Sequence, residues 1–125
     1  MPQLPHAIEL HDSILAAMRR EGDTLVLELR PAYVHRDGAG WSQDADLRLA
    51  GAIDAAVPID LPLAIWDGAL DTPDGSFDGL LPVPLAISGP VRFACELVSG
   101  VCIDIAAGAL RIELLGEARF IETLA

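Results

Sequence analysis

The stretch "SILAAMRREGDTLVLELR", Ser13 to Arg30, decides how this chain folds. Its apolar residues recur at alternate positions, the period of a pleated strand, and Gly22 interrupts them midway. A turn at Glu21-Gly22 sets Met18 opposite Leu25, Ala16 opposite Leu27 and Ile14 opposite Leu29. One face then becomes apolar, and Arg20 can pair with Asp23 across the turn. A helix from Ser13 to Arg20 is the rival, since Leu, Ala, Met and Arg are good helix formers. The alternation favours a β-hairpin.

With three more residues, "LHDSILAAMRREGDTLVLELR" resembles the opening of small bacterial β-proteins of uncharacterised families, among them some polymorphic-toxin immunity proteins. The shared pattern is a His-Asp-small triplet, a strand, a Gly-containing turn and an alternating apolar strand. The resemblance spans Leu10 to Arg30 and carries over no catalytic residue.

The same period returns downstream. In "VRFACELVSGVCIDI" a loop at Val98-Ser99-Gly100, with Gly100 left-handed, pairs Cys95 with Ile103 and Phe93 with Ile105, and turns Arg92, Glu96 and Asp104 outward. A second turn at Ala107-Gly108 and a returning "ARFIETL" strand complete a predicted meander of four strands from Val91 to Thr123. In the middle, "DLRLAGAI" and "LPLAIWDGAL" read as strands, "DTPDGSFDG" as a turn with Asp74-Gly75 at its tip, and "HRDGAG", His35 to Gly40, as a mobile loop. "LLPVPLAISGP" fits only an edge or extended segment, because Pro82 and Pro84 donate nothing to a ladder. Short strands at this spacing predict one all-β domain over residues 1–125, an antiparallel sandwich or barrel.

Composition narrows the function. The net charge is -11, from 19 acids against 8 bases, all of them Arg. That field repels phosphate backbones and argues against nucleic acid, while it attracts a basic protein. A hydrophobic fraction of 52% is high for a short chain and predicts apolar surface covered by a second copy, most simply in a dimer. The first residues show no secretory signal, and the longest uncharged run is too short and too proline-rich to span a bilayer, which predicts a cytoplasmic protein. Cys95 and Cys102 fall on opposite faces of their hairpin and are predicted to be free thiols, in keeping with a reducing compartment.

His11-Asp12-Ser13 brings together three residue types of hydrolytic chemistry. Triads are assembled from distant residues, however, and no G-x-S-x-G elbow presents Ser13. A structural role at the start of the hairpin is the stronger expectation. The histidines His6, His11 and His35 with Asp12 are candidates for a transition metal, though they lack any close-spaced pair, and Asp71 and Asp78, placed opposite each other by a turn at Asp74-Gly75, are candidates for calcium. No cofactor motif is present. The sequence singles out an acidic centre instead, in which Asp44, Asp46, Asp54, Asp60, Asp67, Asp71, Asp74 and Asp78 face one base, Arg48. Aromatics framed by carboxylates suit a partner rich in Arg or Lys, and Tyr33, Trp41, Asp44, Asp46, Asp71 and Asp74 are the predicted contact residues, with Trp66 in the core. The resulting expectation is a non-enzymatic interaction domain, an acidic inhibitor or accessory protein for a basic partner. The competing expectation is a ligand- or metal-binding barrel, or a small enzyme with its site near His11 and His35.

Overall fold

The computed structural model describes residues 6–53 and 60–124; Asp54 of the acidic centre lies outside them. Among the described residues nine strands follow one another: β1 (His6–Glu9), β2 (Ile14–Glu21), β3 (Thr24–Arg36), β4 (Ala39–Ala50), β5 (Leu63–Thr72), β6 (Gly75–Asp78), β7 (Leu80–Val83), β8 (Leu85–Leu97) and β9 (Cys102–Thr123). All pairs are antiparallel, and the sheet closes on itself in the order β2-β5-β8-β9-β4-β3 and back to β2. The fold is therefore an all-β barrel, with the sandwich alternative excluded by the ring. Two pairs, Ile14 with Ala64 and Leu15 with Leu63, make the β2–β5 seam. Strand β1 continues the sheet beside the second half of β3, β7 lies on β1, and β6 lies on β5. Closure hides most strand edges, and the edge strands β6 and β7 are four residues each, β7 carrying Pro82.

Alternation fills the interior. Leu25, Leu27 and Leu29 of β3 join Leu47 and Leu49 of β4 in one buried cluster, which continues through Leu110 and Ile112 of β9 to Phe93 and Leu97 of β8. Each such fully buried aliphatic side chain contributes about 1.5–3 kcal/mol. The second hairpin has the predicted register: Cys95 opposes Ile103, Phe93 opposes Ile105, and Gly100 has a φ of 90°.

Several predicted details differ. The first turn is Gly22-Asp23, with Glu21 opposite Thr24, so Met18 opposes Leu27 and Arg20 opposes Leu25 rather than Asp23. Gly22 alone takes a positive φ there, as a two-residue turn with glycine first requires. A bulge near Ala16 then exchanges faces, which buries Leu15 in place of Ile14. The predicted loop at His35 to Gly40 is a tight hairpin, with Asp37 and Gly38 both at positive φ. The four-stranded C-terminal meander is absent: Ala107-Gly108 is not a turn, and β9 runs through it to Thr123. The inward positions change there from Ile103, Ile105 and Ala107 to Leu110 and Ile112. A glycine in a strand can take such a corner without reversing the chain, so the broken alternation marks a bend.

Candidate functional site

Sheet register places five outward side chains around one shallow groove of 420 Å³ on β5, β6, β8 and β9. Its floor is Ala69 opposite Ala94, with Asp78 flanking Ala69 on β6 and Asp104 flanking Ala94 on β9. One rung further, Asp67 stands directly opposite Glu96, and Cys102 follows on β9. Among the described residues the groove lining thus holds four carboxylates and no cation. Arg92 binds Asp104 from outside that lining, and this bond holds the Asp104 carboxyl below its ordinary value. Among the described residues Asp78 and Glu96 have no ion pair or side-chain hydrogen bond, and Asp67 bonds only the adjacent Gly68 amide, at 2.8 Å. Like charges opposed across strands destabilise a sheet unless a cation relieves them.

Trp66 stands at the head of the groove, 57% exposed, although its bulk predicts a core residue. The register shifts between Ile65 and Asp67, so Trp66 is the bulged residue and is turned outward while Ile65 remains buried. His11 supports it. Its Nδ1–H donates to the Trp66 carbonyl oxygen at 2.9 Å, and the two rings meet edge to face with centroids 5.4 Å apart. Gly68 is required beneath: a Cβ there would lie 2.8 Å from Leu10 Cδ1 and 3.0 Å from the Ala94 oxygen.

The rest of the His-Asp-Ser triplet is structural. Asp12 adopts a φ of 78°, which reverses the chain between β1 and β2. Ser13 is fully buried; its Oγ donates to the Glu9 oxygen at 2.7 Å and accepts from the Tyr33 amide at 3.0 Å. No hydroxyl proton or open approach is left for a nucleophile.

The predicted contact residues do not share one face. Asp46 is only 4% exposed and accepts from Arg30 at 2.8 Å, with Arg19 and Arg48 at 3.9 and 3.8 Å, so it cannot serve as a docking carboxylate. Asp44 is exposed but belongs to the same arginine cluster, 4.0 Å from Arg30. Tyr33 is half-buried, and its hydroxyl donates to Glu122. Trp41 is half-buried against Phe120, beneath Arg36. Asp71 and Asp74 are exposed on the β5–β6 hairpin near the groove, the turn there being Pro73-Asp74.

Of the metal candidates, His11 and Asp12 approach each other, Nε2 lying 3.6 Å from Oδ1, and the others separate. Asp71 opposes Ser76, whose hydroxyl it accepts at 2.6 Å, while Asp78 opposes Ala69; the predicted facing pair does not form because the turn falls one residue earlier. His6 pairs with Val83, His11 is committed to Trp66, and His35 meets Glu9 at 3.4 Å. Among the described residues no three His, Cys, Asp or Glu side chains gather as a metal site. Cys95 is buried and Cys102 exposed, both as free thiols.

No protein-family model, curated protein or solved structure matches the chain. Among the described residues no helix is long and apolar enough to cross a membrane.

Proposed function

We propose that this protein is an interaction domain, not an enzyme, whose groove beside Trp66 receives a cationic side chain of a basic protein partner. The observation that carries the reading is Asp67 opposite Glu96 with no counter-cation among the described residues, next to an outward tryptophan braced by His11. A guanidinium or ammonium lying on the Ala69–Ala94 floor would relieve that repulsion and reach the Trp66 ring. The net charge of -11 would speed the approach of such a partner at low salt. The use of Ser13 in backbone bonding and the dispersal of the histidines support a non-catalytic role.

The test is binding of a fluorescent arginine-glycine peptide, followed by anisotropy. The wild type is expected to bind with an affinity that falls as salt rises. Asp67→Asn with Glu96→Gln, or Trp66→Ala alone, is expected to weaken binding about tenfold, whereas Asp44→Asn leaves it unchanged. Equal binding by the wild type and the Asp67→Asn/Glu96→Gln variant would remove the groove from the function.

A further inference from the structure

A second groove, formed at the other end of the β8–β9 pair, has the opposite charge. Arg48 of β4 stands directly opposite Arg111 of β9, an arrangement as unfavourable in isolation as Asp67 facing Glu96. Their carboxylate partners come from two directions. Asp46 and Glu113 form the next rung of the sheet, 3.8 Å and 3.7 Å from Arg48; Glu113 also lies 3.1 Å from Arg111, and Glu21 reaches Arg48 from the β2 side at 2.7 Å. On the remaining side the neighbouring rung is Thr24, Ala50, Ala109 and Ser88, small residues and two hydroxyls. The resulting groove, about 310 Å³, is lined among the described residues by both arginines and by no carboxylate, in a chain where acids outnumber bases 19 to 8.

Arg111 is the open half of the pair. It is 69% exposed, and among the described residues its ion-pair partner is Glu113, 3.1 Å from its Nε. Arg48 is held in place by three acids and cannot swing away. One guanidinium fixed by three acids and one exposed guanidinium held by a single acid, with hydroxyls beside them, match an oxyanion that accepts several hydrogen bonds. A phosphate monoester, with a charge of about -1.5 to -2, answers two cations better than a carboxylate does. The alanines at 50, 86 and 109 form an apolar bed next to the charges.

We infer that this groove is a binding site for a small organic phosphate, with the phosphate between Arg48 and Arg111 and the apolar body on the alanine bed. The site is separate from the Trp66 groove and does not depend on the proposal made for it.

Phenyl phosphate is the probe, titrated at constant ionic strength into isotope-labelled protein and followed by amide chemical shifts. Saturable shifts are expected at Ser88, Ala109 and Arg111, with a dissociation constant of about 1 mM or tighter. Arg111→Gln, at an exposed position that leaves the core untouched, is expected to weaken binding about tenfold. Arg92→Gln, an exposed arginine elsewhere on the barrel, is expected to change nothing, and so is Trp66→Ala. Shifts that never saturate, or equal losses in Arg111→Gln and Arg92→Gln, would overturn the site. Benzoate binding as tightly as phenyl phosphate would overturn the phosphate class, and inorganic phosphate binding as tightly would overturn the role of the alanine bed.

Discussion

Ser13 and Tyr33, twenty residues apart, are joined inside the protein: the Tyr33 amide donates to Ser13 Oγ at 3.0 Å, and the same hydroxyl donates to the Glu9 oxygen at 2.7 Å. One side chain thereby ties the end of β1 to β3 at the point where the chain turns into the barrel.

Ser13→Ala leaves a donor and an acceptor unpaired in a fully buried site and is expected to cost about 1–3 kcal/mol. Urea unfolding followed by circular dichroism checks this. A change below a few tenths of a kcal/mol would show that water replaces the hydroxyl.

Asp46→Ala removes the carboxylate on which Arg19, Arg30 and Arg48 converge. The expected loss is about 2 kcal/mol, below the 3–5 of a fully buried pair because the arginines retain access to water. Val26, fully buried on the outer face of the sheet, opposes both Arg19 and Arg48. Loosening those arginines should therefore also expose Val26, detectable as faster exchange of its amide.

The two thiols are expected to differ in reactivity. Burial, and secondarily the nearby Cys102, push the Cys95 thiol up to about 12, whereas Cys102 is exposed. Iodoacetamide at pH 8 should add one label per native chain, at Cys102, and two after denaturation. Peptide mapping that finds Cys95 labelled in the native protein would contradict the inward register of β8.

Tyr33 is the only tyrosine, so absorbance near 295 nm follows it alone. Its bond to the Glu122 carboxylate, then burial, raise the phenol from 10.0 to about 12. The unfolded chain loses this proton first. The stability contributed by the bond is complete below pH 10 and drains away as pH rises from 10 to about 12. Glu122→Gln should return the midpoint toward 10; an unchanged midpoint would sink the assignment.

Alternation exposes much of the barrel to reading from sequence. Leu25, Leu27 and Leu29 of β3, and Phe93 and Cys95 facing Ile105 and Ile103, follow period two without interruption, and their faces are legible. Trp66 is not legible in the same way, since its bulk predicts the core and the bulge that turns it outward has no mark of its own in the sequence. The failures lie where the period breaks. At Ala16, Trp66 and Gly108 a single residue changes face, and a bulge, a corner and a turn leave the same mark in one dimension.

By itself the sequence determined the β class, the inward rows of β3 and of the β8–β9 hairpin, the separation of the two thiols and the excess of acid, because these depend on alternation and composition, which are properties of neighbouring residues. Only the tertiary structure decided that the sheet closes into a ring, that Asp46 is buried among arginines, that Asp67 faces Glu96 and that Arg48 faces Arg111. Those pairings join residues far apart in the chain, and a shift of one position in a bulge or turn exchanges the partner and the face of everything beyond it.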